Sequence, residues 1–436
     1  MSSATTILSL PNELLIAVVA AAQLDCGIDE PINSRPEWIL SHLCRHFRRV
    51  IIAAPALWTN ISISLKHVEQ RERLEEIFKL FLRRSVPLNV AVSLRILSPA
   101  ADATNVLADY LSQVVPEFTR MQSLSVALES NRNDLAVEFV PLCHLAAPNL
   151  LHLDIANISP LSTRRCPVEL FSIGAPKLSS VRMRGFFPFP VPSWISSTIR
   201  LELDNVGQLL NGDDTLYLSV IMQPLALVYL RLDLSEVHSA VDQIRIPSLE
   251  CLSVTVDDGE DGPYVVNLFD CPALTEFTFV GTHGDQILWL LDMPYLRSSY
   301  PVLHTLSFIN TEQRCHCETS GIVVPTRTHF PEIPLFPALS SLVLINQCFT
   351  RNVLKEIFGT RAMPWPCLKT LALSLEHDRL DVRGTLRDTV RHSSQTIPKL
   401  RLCRTLFSLE EWEEGGVDVE VFDPEETTKH FRVVDD

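Results

Sequence analysis

Pro148-Asn-Leu-Leu-His-Leu-Asp-Ile155 and Pro176-Lys-Leu-Ser-Ser-Val-Arg-Met183 share one skeleton: a proline, a leucine two residues on, then apolar residues five and seven after the proline. The skeleton returns as Pro247-Ser-Leu-Glu-Cys-Leu-Ser-Val254, Pro272-Ala-Leu-Thr-Glu-Phe-Thr-Phe279, Pro301-Val-Leu-His-Thr-Leu-Ser-Phe308, Pro337-Ala-Leu-Ser-Ser-Leu-Val-Leu344 and Pro366-Cys-Leu-Lys-Thr-Leu-Ala-Leu373. Looser copies lie at residues 121–126, 198–203 and 227–232. The middle apolar position falls at 124, 153, 181, 201, 230, 252, 277, 306, 342 and 371, in steps of 20 to 36 residues. Apolar residues two apart share one face of a strand. The proline fixes φ and stops a helix from running into that strand. Between copies, Asp285-Gln-Ile-Leu-Trp-Leu-Leu291 and Asn352-Val-Leu-Lys-Glu-Ile-Phe358 have helical patterns. A strand plus a helix cannot bury its apolar face alone, so the units must stack.

The spacing and the LxxLxL strand resemble a leucine-rich repeat, which runs 20–29 residues per unit. The usual asparagine stands three residues after the last strand leucine. Here Asn157, Asn205, Asn310 and Asn346 come two after it, so the repeats are expected to be irregular. The alternative is an ordinary α/β fold whose strands merely share an apolar-x-apolar core.

Composition narrows the classes. The chain has 436 residues, 64 of them leucine against 14 glycines, and a formal net charge of −15. With 46% apolar residues it can offset the entropy of ordering. No GxGxxG or GxxxxGK[ST] string offers a phosphate cradle. A pI near 5.3 gives no basic footprint for nucleic acid. The eleven cysteines are odd in number, scattered and without a CxxC pair, which reads as reduced thiols in the cytoplasm or nucleus. No apolar run is long enough to span a bilayer. The apolar stretch at residues 14–22 has no Lys or Arg before it and carries Glu13, unlike a signal peptide. Residues 409–436 hold eleven Asp/Glu and two Lys/Arg. They read as a solvated acidic segment, although the alternation Val417-Asp-Val-Glu-Val421 hints at a strand.

The first sixty residues differ in kind. Leu10-Pro11-Asn12-Glu13-Leu14-Leu15 opens a helix with proline in its first turn, where a missing N–H is harmless. Leu14, Val18 and Ala22 share one face of it. After a polar insert at residues 25–35, a second helical pattern starts near Pro36, with Ile39, Leu43, Phe47 and Val50 on its face. Ala54-Pro55-Ala56-Leu57-Trp58 ends it, and the alternating Ile61-Ser-Ile63 follows.

This segment resembles an F-box of the kind found in large fungal families, on three motifs in order: Leu10-Pro11-x-Glu13-Leu14-Leu15, then Leu43-Cys44-Arg45-x-Phe47-Arg48-Arg49-Val50, then Pro55-x-Leu57-Trp58. The helical pattern at residues 69–84, ending in Arg83-Arg84-Ser85-x-Pro87-Leu88, is similar to the segment that follows the box there. Phe47 departs from the commoner tryptophan, and the insert is long. The resemblance implies a three-helix module that docks the Skp adaptor of a cullin–RING ubiquitin ligase. Leu10, Pro11, Leu14, Leu15, Leu43, Cys44, Leu57 and Trp58 would form or support that interface. Without a partner, the same residues would only cap the hydrophobic end of a solenoid.

Chemistry-bearing motifs are sparse. There is no GxSxG elbow or HExxH pair. Cys315-His316-Cys317 is the densest ligand cluster, but zinc ligands are normally spaced two to four apart and number four. Asp257-Asp258-Gly-Glu260-Asp261 lacks the form of a calcium loop. The remaining candidate is the polar strand face, the concave side of a solenoid, where Asp154, Arg182, Arg184, Glu202, Asp204, Arg231 and Asp233 would read a protein target. Ser253, Thr255, Thr278 and Ser307 continue that face.

The sequence therefore predicts an α/β chain: a three-helix F-box-like module over residues 1–62, and a helical linker and cap over 63–120. An irregular leucine-rich solenoid would follow over 121–408, then an acidic segment over 409–436. It predicts a non-enzymatic substrate receptor without cofactor or metal, whose partners are the Skp adaptor, the cullin scaffold and a protein target, with neither nucleic acid nor membrane. The rival reading is an interaction scaffold unconnected with ubiquitin ligation.

Overall fold

The computed structural model describes residues 10–24, 34–67, 70–97, 103–129, 136–158, 164–166, 168–188, 191–204, 226–233, 243–256, 266, 268–281, 300–310, 336–347, 365, 367–375, 399–403 and 418–422. The chain divides into two compact units, Met1–Thr198 and Ile199–Asp436.

The first unit runs α1 (Asn12–Leu24), α2 (Pro36–Leu43), α3 (Arg45–Ile52), β1 (Asn60–Leu65), α4 (Arg71–Arg84), β2 (Val90–Ile96), α5 (Ala103–Val114), β3 (Met121–Leu128), α6 (Ala136–Phe139) and β4 (His152–Asn157). It ends with β5 (Arg164–Cys166), β6 (Ser180–Arg184) and β7 (Phe186–Pro188). Strands β1, β2, β3, β4 and β6 form a parallel ladder in chain order, and β5 pairs with β7. In the second unit β8 (Arg200–Asp204), β9 (Tyr229–Asp233), β11 (Cys251–Thr255), β13 (Glu276–Val280), β14 (Thr305–Ile309), β15 (Ser341–Gln347), β16 (Thr370–Leu375), β17 (Lys399–Cys403) and β18 (Asp418–Phe422) form a second parallel ladder in chain order. The short β10 (Ile244–Arg245) pairs with β12 (Phe269–Asp270). The α/β class with extended parallel sheet is as the sequence predicts.

The repeat skeleton becomes a repeated turn. In each unit step the leucine two residues after the proline donates its N–H to the carbonyl of the residue before the proline: Leu150 to Ala147, Leu178 to Ala175, Leu274 to Cys271 and Leu303 to Tyr300, at 3.0–3.4 Å. The proline thus occupies the second position of a β-turn, where its fixed φ is pre-set. Both ends of each turn are buried, so the leucine closes the turn and enters the core at once. Four residues past the proline the strand begins.

The middle apolar positions are register partners. Leu124 faces Leu153, and Leu153 faces Val181. In the second unit the row runs Leu201, Leu230, Leu252, Phe277, Leu306, Leu342, Leu371. Each is almost wholly buried, and burying a side chain of this size contributes roughly 2 kcal/mol. The ladders also extend beyond the recognised copies. Ile61 and Val92 join the row of the first unit at its start, and Leu400 and Val419 join the row of the second at its end. Strand β2 lies in the stretch expected to be helical linker and cap. The alternation at 417–421 does form a strand, β18. The candidate helices at 285–291 and 352–358 lie outside the described residues.

Two helices stand where the sequence pattern suggested one after Pro36. Cys44 is extended, with φ −156° and ψ 168°, and its Sγ accepts from the Phe47 N–H at 3.5 Å, so it caps α3 rather than continuing α2. The break separates the expected face: Phe47 and Val50 are buried, whereas Ile39 and Leu43 are exposed. Beyond α3, a single helical turn at Pro55–Trp58 buries Leu57 and Trp58. The Trp58 indole N–H donates to the Ile51 carbonyl at 3.0 Å, and its ring meets Phe81 of α4 edge-on. Arg120 then closes the end of α4 by donating to the Leu82 and Leu88 carbonyls and the Ser85 hydroxyl.

Candidate functional site

Two surfaces carry the candidate residues: the N-terminal helices and the polar faces of the strands.

Pro11 precedes α1, and its carbonyl accepts from the N–H groups of Leu14 and Leu15, which starts the helix. The buried stripe of α1 is Leu15 and Val19, one residue away from the expected Leu14, Val18 and Ala22. Leu14 and Val18 point outward, 52% and 51% exposed. On α2, Ile39 and Leu43 do the same at 46% and 63%. Each pair is spaced i, i+4, so each forms a short apolar stripe on its helix. Of the other expected adaptor residues, Pro11 is exposed, Leu10 and Cys44 are half-buried, and Leu15, Leu57 and Trp58 are buried. The buried three hold the helices. The Gln23 amide donates to the Leu57 carbonyl at 2.9 Å, and the Arg84 guanidinium lies 4.4 Å from the Trp58 ring centre.

The polar face of the first ladder is a row set by register: Ser62 against Ser93, Ser93 against Ser125, Ser125 against Asp154, and Asp154 against Arg182. All five are half-buried. The Ser125 hydroxyl donates to Asp154 Oδ2 at 3.3 Å. Arg184 stands one step along in the next polar row, opposite Ala156. The three serines are not among the sequence-predicted site residues, although their signal is plain: each is the middle of an apolar-Ser-apolar triplet, Ile61-Ser-Ile63, Val92-Ser-Leu94 and Leu124-Ser-Val126.

Over this row lies a cavity of about 410 Å³ whose wall also includes Arg35 and Glu37 from the start of α2. Arg35 Nη1 donates to the Asn60 carbonyl at 2.7 Å. Glu37 is wholly buried, its Oε1 lies 3.5 Å from Arg35 Nη1, and neither of its oxygens accepts a hydrogen bond. The guanidinium is near enough for Coulomb attraction and too poorly placed to satisfy the carboxylate.

The second ladder brings Glu202 opposite Arg231, and Arg231 opposite Ser253. Here the polar face is closed. Glu202, Asp204, Arg231 and Ser253 are exposed by only 8%, 3%, 4% and 3%. Arg231 Nε lies 3.4 Å from Asp204 Oδ1, and Arg200 Nη2 lies 2.6 Å from Glu202 Oε1. The Arg200 guanidinium also stacks 3.9 Å from the Tyr229 ring centre. Burial, then the Glu202 charge, pushes the Tyr229 hydroxyl above its ordinary pKa. Asp233, at the end of β9, is half-buried.

Cys315, His316 and Cys317 and the acidic loop at 257–261 lie outside the described residues. Among the described residues no group of three His, Cys, Asp or Glu is placed to hold a metal ion, and no helix is long and apolar enough to cross a membrane. Among known proteins, no family model matches the chain and no curated protein is significantly similar to it.

Proposed function

We propose that the chain is the substrate-recognition subunit of a cullin–RING ubiquitin ligase, acting in the cytoplasm or nucleus. On this reading α1 to α3 are an F-box-like module that docks a Skp-type adaptor, and the strands that follow are leucine-rich repeats of a solenoid that holds a protein target. The observation that carries it is the outward apolar pairing of Leu14 with Val18 and of Ile39 with Leu43. These fall inside the segment whose three ordered motifs resemble the box. A helix that served only as a cap would turn such residues inward, and exposed apolar stripes mark interaction surfaces.

The mechanism is proximity. Holding a target and a ubiquitin-charged enzyme on one scaffold raises the local concentration of the target's lysines. The chain contributes positioning, and no nucleophile or general base is assigned to it.

Co-expression with a fungal Skp adaptor followed by co-purification tests this. Wild type should be captured in stoichiometric amounts, and Leu14→Ala with Leu43→Ala should abolish capture. Both side chains are exposed, so the variant should stay folded, while each truncated anchor should cost about 2 kcal/mol of binding. A folded wild type that captures no adaptor overturns the reading and leaves the interaction scaffold.

A further inference from the structure

The exposed side of α3 carries a charge pattern that the helix itself does not favour. Arg45, Arg48, Arg49 and Ile52 are spaced i, i+3, i+4 and i+7, so they form one stripe. All four are exposed, while Phe47, Val50 and Ile51 are buried. Positive charge in the first turn of a helix meets the positive end of its dipole. Arg45 also repels Arg48 and Arg49 one turn on. Local stability therefore gives no reason for these arginines.

The last turn of α4 adds two more. Burial, then the like charges of Arg83 and Arg48, pulls the Arg84 guanidinium below its ordinary pKa, so cations of α3 and α4 lie within Coulomb range of each other. Arg84 rests over the Trp58 ring, 4.4 Å from its centre, which holds it in place. Among the described residues none of these five arginines has an ion-pair partner. Arg83 also lines a groove of about 430 Å³ between α2 and α4, whose apolar wall is Trp38, Ile77 and Leu80. The other charges there are engaged with one another. Lys79 Nζ lies 2.9 Å from Glu75 and 3.4 Å from Glu76, and Glu75 accepts from the Gln113 amide at 3.0 Å.

We propose that this face docks an acidic segment of a partner protein, its carboxylates on Arg45, Arg48, Arg49, Arg83 and Arg84 and an apolar side chain in the groove beside Trp38. A guanidinium fork matches a carboxylate in a bidentate pair, so arginines suit such a ligand better than lysines. The apolar groove next to the cations favours a polypeptide over a nucleic acid or a lipid headgroup. The formal charge of −15 on the whole chain opposes an extended polyanion. A short segment feels mainly the nearby arginines, because exposed charges more than about 10 Å away are screened. The proposal does not depend on the ligase reading.

Fluorescence anisotropy of the full chain with the dye-labelled peptide Glu-Asp-Glu-Leu-Glu-Asp-Glu tests it. Binding should be saturable, and raising NaCl from about 0.05 M to about 0.5 M should weaken it at least about tenfold. Replacing every Glu and Asp of the peptide by Gln and Asn should weaken it by a similar factor, and Ser in place of its Leu several-fold. Arg48→Glu with Arg83→Glu should abolish binding. Both side chains are exposed, so the variant should keep the circular dichroism of the wild type. Arg48→Ala alone should weaken binding about fivefold and is an independent arm if the double variant does not fold. The proposal is overturned if the acidic peptide does not bind folded wild type, if the Gln/Asn peptide binds as well, or if a folded arginine variant binds like wild type. A thymidine oligonucleotide or phosphatidylserine vesicles binding more tightly than the peptide also overturns it, in favour of a polyanion or a membrane.

Discussion

The two ladders are built on the same alternation and use it differently. In the first, the residues that alternate with the core row are Ser62, Ser93, Ser125, Asp154 and Arg182, all half-buried, and the first four border a cavity. In the second, the equivalent positions Glu202, Arg231 and Ser253, with Asp204 beside them, are buried as deeply as much of the core. Alternation decides which side of a sheet a residue takes. It does not decide whether that side meets water. The same pattern thus gives a half-buried face in one unit and, at β8 to β11, an internal charge network in the other, where charged residues change from candidate target contacts into structural parts; Thr278 and Ser307, further along that ladder, are half-buried again.

This difference predicts opposite responses to the same type of substitution. Asp204→Ala leaves Arg231 buried without its carboxylate, and breaking a buried pair from one side costs about 3–5 kcal/mol. Replacing both, as Asp204→Leu with Arg231→Met, should cost less than either single change. On the open face, Asp154→Ala should cost under about 1 kcal/mol, since water can solvate what remains. Urea unfolding of the variants measures all three. If Asp204→Ala is as mild as Asp154→Ala, the second face is not closed in solution and the contrast fails.

Glycines beyond two strands sharpen the comparison at the backbone level. Gly281 follows β13 with φ +85°, and a Cβ there would sit 2.4 Å from the Val256 carbonyl oxygen. Gly185 follows β6 with φ +59°, and its Cβ would sit 2.9 Å from the Asn157 carbonyl oxygen. Both approach a carbonyl of the neighbouring repeat, so both need glycine. Gly281→Ala should cost about 3 kcal/mol and Gly185→Ala about 1–2, because the second φ lies in the left-handed region that alanine can enter. Thermal unfolding that ranks Gly185→Ala as the more damaging change would sink this account.

How much of this was legible beforehand follows from the same physics. The proline-led skeleton located seven core strands, because a turn that buries both its ends must repeat the same residue types, and the looser copies located three more. Strand β2 escaped because it has no such turn: it follows Pro87-Leu88-Asn89 with a different spacing. Strand β17 escaped because Pro398 stands next to the strand rather than four residues before it. In the N-terminal helices, periodicity found that an apolar face existed but set it one residue off on α1. Leu14 and Leu15 are equally apolar, and only packing chooses Leu15. The break at Cys44 was hidden because a thiol acceptor is a rare cap, where Ser, Thr, Asp or Asn would have announced a new helix. Glu37 carries no sequence signal at all. An acidic residue in the first turn of a helix is ordinary, and its burial comes from residues distant in sequence.

The smallest effect probes the closed face through a thiol. Cys251 begins β11, in register between Tyr229 and Glu276. Burial pushes its pKa up to about 11, helped by the charges of Glu276 and Glu250 and by the hydrogen bond from its Sγ to Glu276 Oε2 at 3.8 Å. An unfolded cysteine titrates near 8.5. Between that value and about 11 the folded chain therefore keeps a proton that the unfolded chain has lost. The resulting stability is complete below the unfolded pKa and disappears as pH rises through 11. Alkylation follows the thiolate, so at pH 9 Cys251 should react with iodoacetamide far more slowly than the exposed Cys367. Glu276→Gln removes the leading charge without exposing the site. It should speed alkylation of Cys251 up to about tenfold while leaving Cys367 unchanged. If the rate does not move, burial alone sets the thiol's pKa. If Cys251 reacts as fast as Cys367 in the wild type, the edge of the closed face opens on the timescale of the labelling.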